Sequence, residues 1–341
     1  MKKKEKDDIF ASHLPGVLTY HQSMLMDGVR NKLLYEAIKS CVTNETAFLD
    51  IGAGTGIWAI LAAKLGAKRV VAVEIEECLI PVIYRHAQEN GVANKIEIIH
   101  GNSDDVKIRG KFDVIVSELF GQDAIGEQTV KSFVSLRSRF LAAGGILIPQ
   151  KMAMLAAPIH IEKSVQNLPA ELPISCDFLK SLKQNYSWNA LLPDRQKIKF
   201  LAEPKQLVEL DFRNIETAPS LQNLSLSWQV EELTEANAIV VFNYSIFTDE
   251  IKMDNFNSQS WGTSIYEFQP FEKSSGEIKF NLQMDEKKAI WSVGMLSGAD
   301  EKTNTYSPTF AIARVRMAQQ MTPHRRFKPP KPVKKVKKRS S

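Results

Sequence analysis

Cysteine is scarce in this chain of 341 residues: there are three, Cys41, Cys78 and Cys176, scattered and odd in number. That argues against a disulfide framework and fits a reducing compartment, so the cytoplasm is the expected location, or the nucleus in a eukaryote. No apolar run approaches the roughly 18 residues of a membrane helix, and no membrane partner is expected. The start is charged and no apolar stretch follows it, which argues against a secretory leader. The six histidines show no ligand spacing, so no metal is expected. Acids are absent from residues 322–341, which carry nine Lys/Arg. Taking that +9 from the overall +5 leaves a mildly acidic body at −4.

What is present is an ordinary globular composition, 44% hydrophobic and 24% charged, in a chain long enough for two domains. Helical periodicity covers 21–41, with apolar residues at Met24, Leu25, Val29, Leu33, Leu34, Ala37 and Ile38. Short apolar runs at 47–51, 70–73, 96–99, 114–116 and 146–148 alternate with helical stretches at 57–65, about 75–90 and about 127–141. Such alternation predicts an α/β fold with a doubly wound, mostly parallel, Rossmann-like sheet. After Pro149 strand-like segments dominate, at 152–161, 206–212, 225–230, 238–247, 278–284, 289–293 and 310–315. They predict a following all-β, barrel-like domain. The expected organisation is an N-terminal segment 1–20, a cofactor-binding domain 21–150, a barrel-like domain 151–320 with an excursion at 165–199, and a basic tail 321–341.

The turn Asp50-Ile51-Gly52-Ala53-Gly54-Thr55-Gly56 lies between the first strand and its helix. Glycine is needed where backbone approaches a ligand or takes positive φ, so Gly52, Gly54 and Gly56 are candidate cofactor contacts. The dinucleotide fingerprint requires a further glycine where Ile57 stands, so a nucleoside without phosphates fits better. Glu74 closes the next strand, 20 residues after Gly54, where an acid accepts both ribose hydroxyls. S-adenosylmethionine fits this pattern, with Asp50 attracting its cationic end. Ser103 and Asp104, after the third strand, stand where adenine is held, or else form a plain Asp-rich turn.

Glu118 follows a buried strand and Glu127 stands nine positions later at a helix start. Two carboxylates at the carboxyl edge of a parallel sheet suit a planar, permanently charged cation, and a guanidinium matches best. Glu127 also reads as an acid favoured at a helix start.

These residues together resemble the protein arginine N-methyltransferase family. Glu118-Leu119-Phe120-Gly121 with Glu127 is similar to its double-glutamate loop, and His21-Gln22-Ser23-Met24-Leu25-Met26-Asp27-Gly28-Val29-Arg30 to the motif before its cofactor strand. The stretches 49–57, 66–74 and 203–208 are also similar, so the resemblance covers about 20–300. It implies that Arg30 pairs with the cofactor carboxylate, Met24 lines the transfer channel, and Glu118 and Glu127 clamp the substrate guanidinium. It further implies a barrel with a dimerisation arm at 165–199, a head-to-tail homodimer and protein substrates with arginines. Three departures stand out. The family's aromatic helix before the histidine reads Ala11-Ser12-His13-Leu14-Pro15. Its Thr-His-Trp loop reads Gln259-Ser260-Trp261, leaving Trp261 as a candidate substrate contact or a barrel core residue. In the double-glutamate loop Phe120, Gln122 and Thr129 replace the family residues.

Two other functions stay open: transfer to another acceptor (a ribosomal-protein lysine, RNA or a small amine), and a cofactor-binding scaffold without activity. The basic tail is either a solvated extension or a contact for RNA or another polyanion.

Overall fold

The computed structural model describes residues 3–119, 129–162, 187–190, 198–217, 219, 223–254, 256, 258–268, 270–285 and 288–296. In chain order the first half runs α1 (Lys3–Met26), α2 (Gly28–Cys41), β1 (Ala47–Ile51), α3 (Ile57–Lys64), β2 (Arg69–Glu74), α4 (Ile80–Glu89), β3 (Ile96–His100), β4 (Phe112–Ser117), α5 (Thr129–Phe140) and β5 (Leu141–Ile148). The strand order is β3-β2-β1-β4-β5 and every pairing is parallel. Chain order reverses across β1, so a crevice opens at the carboxyl ends of β1 and β4, where sheets of this kind bind ligands. Ile51 lies opposite Val73 on one side and Ser117 on the other. That register brings Gly52, Glu74 and Glu118 to one edge.

The second half is antiparallel. It comprises β6 (Lys151–Ile161), β7 (Ser187–Ala190), β8 (Ile198–Phe200), β9 (Lys205–Asp211), β10 (Leu224–Val230), β11 (Ala238–Ile246), β12 (Lys252–Asp254), β13 (Thr263–Glu267), β14 (Gly276–Asp285) and β15 (Lys288–Leu296). One sheet has the order β7-β13-β11-β6-β8, with β9 also on β6 and β12 also on β11; a second is β10-β14-β15. The expected architecture, a parallel Rossmann-like sheet followed by a β-rich unit, is the observed one.

One apolar core runs through both halves, from Leu34, Phe48 and Val116 to Phe212, Trp261 and Phe280. Phe133 of α5 stacks on Phe212, with ring centroids 3.9 Å apart. Beside that stack Arg137 donates to the Phe212 carbonyl at 2.8 Å and pairs with Glu216 at 2.6 Å. The barrel-side turn is thus fixed against the helix that leads into β5.

Three expectations need correction. The helix expected over 21–41 is two helices, because the chain breaks at Asp27: its backbone is non-helical and its side chain accepts the Arg30 N–H as the cap of α2. Residues before 21 belong to α1, which passes through Pro15. The strand expected after Gly144-Gly145 already starts at Leu141; Gly144 takes φ 75° inside it, where the pairing with β4 shifts register. A bulge lets glycine sit within a strand that the sequence marks as a turn. The expected segment 310–315, most of the excursion 165–199 and the tail lie outside the described residues.

Candidate active site

The crevice holds a cavity of about 230 Å³. Its lining includes His21 and Met24 of α1, Arg30 of α2, Asp50, Gly52 and Gly54, Glu74, and Glu118 and Leu119. Most of the sequence-predicted cofactor residues therefore share one space with the first glutamate. Gly56 lies outside the lining and serves as the left-handed cap of α3.

The glycine turn is built for close approach. Gly52 has φ 70°, and a Cβ there would collide with the Leu119 side chain. Gly54 has φ 57°, and a Cβ would stand 2.8 Å from the His21 ring. The His21 imidazole thus lies on the turn itself. Burial lowers its pKa, against the opposing pull of Glu74 and Glu76, so the ring is mostly neutral at pH 7.

Two acids face this turn. Asp50 is 1% exposed and accepts the Ala59 N–H at 3.0 Å. Burial raises its carboxyl to about 7; the Ala59 bond opposes the rise and nearby Glu74 adds to it. Glu74 accepts the Gly54 N–H at 2.6 Å on one oxygen and the Glu76 N–H at 2.8 Å on the other. Each carboxylate oxygen takes about two hydrogen bonds, so one site per oxygen stays open for a pair of hydroxyls.

Among the described residues Arg30 is the largest fully buried side chain, at 2% exposure. Its Nη2 makes a close ion pair with Glu118, and its Nη1 donates to Asn31 Oδ1 at 2.6 Å. Its Nε has no hydrogen-bond partner among the described residues. Burial pulls the Arg30 pKa down to about 10, with Asp27 opposing, so the guanidinium stays charged at neutral pH. The Arg30 guanidinium also lies 5.6 Å from the Trp261 ring centroid. Glu118 Oε1 accepts the Trp261 indole N–H at 2.8 Å. Trp261 is both core and site: it is 7% exposed within the main apolar cluster, and its one polar atom reaches the glutamate.

The remaining candidates are placed less directly. Ser103 and Asp104 are not among the lining residues. Their loop is fixed by Arg139, which donates to the Ser103 carbonyl at 2.7 Å and to the Val106 carbonyl. It adjoins Glu74 through the Gly101 N–H, 2.9 Å from the Glu74 carbonyl. Glu127 lies outside the described residues. Sequence reasoning gave no role to His21 or Asp27, although both stand in the quoted motif, and none to Ser258. Asp27 is fully buried and accepts from the loop 258–260, 231 and more positions away. Nothing local in the sequence announces that contact.

The donor set fits a nucleoside carrying a cationic centre and a carboxylate. Asp50 suits the cation, Glu74 a pair of ribose hydroxyls, and the unsatisfied Arg30 Nε a carboxylate. Among the described residues no cluster of His, Cys, Asp or Glu could hold a metal ion, and no helix is long and apolar enough to cross a membrane.

Comparison with known proteins returns methyltransferases throughout. A family model described as "Ribosomal protein L11 methyltransferase (PrmA)" matches residues 31–157. The chain is 32% identical over 155 residues to the probable protein arginine N-methyltransferase 6 of Arabidopsis thaliana, covering 45% of this chain and 35% of that protein. It is 30% identical over 163 residues to protein arginine N-methyltransferase 2 of Dictyostelium discoideum, covering 46% and 31%. The matches thus span about a third of these relatives' length. In structure it is similar to the Trypanosoma brucei PRMT1 enzyme–prozyme heterotetrameric complex with AdoHcy, at a TM-score of 0.70, 20% identity, and coverage of 84% of this chain and 96% of that one. It is also similar to Arabidopsis thaliana protein arginine methyltransferase 10, at 0.68, 19%, 85% and 98%. The fold is the one those structures have, and just under half of the chain resembles protein arginine N-methyltransferases in sequence.

Proposed function

We propose that this chain is an S-adenosylmethionine-dependent methyltransferase whose acceptor is a guanidinium nitrogen of arginine in proteins. The observation that carries the reading is Glu118: it shares a cavity with the glycine turn, Asp50 and Glu74, and it already holds a guanidinium, that of Arg30. Likeness to arginine methyltransferases in sequence and fold supports the same conclusion.

The cofactor supplies an electrophilic methyl group on a sulfonium. The protein's task is chiefly placement, which provides most of the rate in such displacements. Asp50 and Glu74 orient the nucleoside, and Arg30 its carboxylate. Glu118 holds the plane of the substrate guanidinium so that one nitrogen faces the methyl, and Glu127 completes the clamp. Two positive centres about 4 Å apart repel by roughly 4 kcal/mol at an effective dielectric near 20, and the acids offset this. The proton of the methylated nitrogen leaves to a carboxylate or to water. Met24, half-buried on the wall of the cavity, lines the path.

The proposal extends to a homodimer, to a cytoplasmic or nuclear location and to polyanion contact through the basic tail. A second reading, transfer to another acceptor, draws on the family model named for a ribosomal-protein methyltransferase. It also draws on Ser260, which stands where the resembled loop has histidine. Incubating wild type and Glu118→Gln with labelled cofactor and lysate proteins, followed by mass spectrometry, separates the two. Methylarginine that disappears in the folded variant while cofactor affinity persists supports the first reading. Label confined to lysine or RNA rejects it.

A further inference from the structure

We propose that Ser258 is a positioning residue for the acceptor site: its buried hydroxyl ties Asp27 to the Trp261 backbone and so fixes the Trp261 indole on Glu118. The inference deepens the function proposed above and rests on that reading for its kinetic consequence.

The geometry is a closed circuit with Asp27 and Glu118 at opposite ends. One arm runs along the start of α2. Asp27 Oδ1 accepts the Arg30 N–H at 3.0 Å, and the Arg30 side chain pairs with Glu118. The other arm runs through the loop before β13. The Ser258 hydroxyl donates to Asp27 Oδ2 and accepts the Trp261 N–H at 2.7 Å and the Ser260 N–H at 3.1 Å. The Trp261 indole then donates to Glu118 Oε1 at 2.8 Å. A hydroxyl has one proton and two lone pairs, and Ser258 uses all three. It is fully buried, so water cannot replace any of them.

Asp27 is anchored strongly enough to act as the fixed point. It also accepts the Gln259 N–H at 2.8 Å, the Ser260 N–H at 3.0 Å and the Ser260 hydroxyl at 2.8 Å. Burial alone would raise its carboxyl; hydrogen bonds from Ser258, the Arg30 backbone and Ser260 hold it below its ordinary value. Both oxygens of Glu118 are thus oriented from one buried carboxylate, by two routes in different halves of the fold. Without the Ser258 hydroxyl the Trp261 N–H loses this bond, and the loop that carries the indole loses one of its ties to Asp27. Glu118 then keeps its charge but loses its fixed direction.

The test uses the full chain labelled with 15N-tryptophan, with Trp261→Phe assigning the indole resonance. Ser258→Ala is expected to move that resonance towards the position of an indole without a carboxylate partner. It should lower kcat on an arginine peptide by about 10- to 100-fold, with cofactor affinity within about twofold of wild type. Ser258→Thr, which keeps the hydroxyl, should restore both. An unmoved resonance or an unchanged kcat in a folded Ser258→Ala protein overturns the proposal, as does loss of cofactor affinity in step with kcat. If alanine leaves no folded protein, Ser258→Thr decides alone: a wild-type indole position supports the role and a displaced one overturns it. If wild type transfers no methyl group to arginine, the function proposed above falls, and the indole spectrum still decides the role of Ser258.

Discussion

Replacing Glu118 by glutamine tests the site through folding rather than turnover. The Arg30–Glu118 pair is buried on both sides, at 2% and 9% side-chain exposure. Removing one member of such a pair strands the other charge in the interior and costs about 3–5 kcal/mol. Glutamine still offers an oxygen to the Trp261 indole, and Asp27 stays near Arg30. The lower end, about 3 kcal/mol, is therefore expected. Arg30→Met strands Glu118 instead, which can take up a proton and soften the loss. The double variant removes both charges, so its loss should fall short of the sum of the single losses by about 2 kcal/mol or more. Urea unfolding of the four proteins without cofactor, at one pH and salt, measures this directly. Additivity within about 0.5 kcal/mol would show that the two side chains do not pair in solution. It would also remove the main argument that Glu118 recognises a guanidinium.

Three further outcomes follow from the same geometry. Affinity for S-adenosylmethionine should rise with pH through about 7, because the Asp50 carboxyl is raised to about 7 and attracts a cation only when deprotonated. In the free protein the sign reverses: a raised carboxyl favours the folded state at low pH, and that contribution fades as pH climbs to about 7. Calorimetric titration at several pH values should show the affinity slope, and Asp50→Asn should flatten it. Gly54→Ala imposes about 1–2 kcal/mol of backbone strain at its positive φ and presses a methyl on His21; equilibrium dialysis should show a clear loss of cofactor binding. Phe212→Ala deletes one ring of the Phe133 stack and should cost about 3–5 kcal/mol in urea unfolding. A loss below about 1 kcal/mol would mean the contact between α5 and the β-rich half contributes little.

The parallel sheet was legible because strands buried on both faces read as unbroken apolar runs. Phe48-Leu49 and Val114-Ile115-Val116 carry no polar residue to hide them, and they form β1 and β4. The shared location of the glycine turn, Asp50 and Glu74 was legible for a related reason, since each stands at the end of a strand and they line one cavity. What was hidden depends on distant partners. The periodicity of 21–41 runs straight through Asp27, which caps α2 at the Arg30 N–H and also takes donors from the distant loop 258–260. Strand β13 was missed because Thr263-Ser264-Ile265-Tyr266-Glu267 does not alternate; every residue from Thr263 to Tyr266 is buried, and β7 and β11 flank it. Arg30 also has a neighbour no local pattern reveals, since Glu118 stands 88 positions further along the chain.

Charge balance ties these parts together. Among the described residues the cavity lining holds three acids, Asp50, Glu74 and Glu118, against one permanent cation, Arg30, a formal −2 when all are ionised. His21 adds nothing while its ring is neutral. S-adenosylmethionine carries a net +1 and an arginine side chain another +1, so the proposed pair of ligands would balance this lining, Glu127 standing outside the count. Methyl transfer removes the sulfonium charge, while the methylated guanidinium, after losing one proton to solvent, keeps its own. The product complex therefore retains one uncompensated negative charge that the substrate complex lacked. An interior disfavours unpaired charge, so the field that draws both substrates in holds the products less well. In the free protein the pairing of Arg30 with Glu118 offsets one of these negative charges.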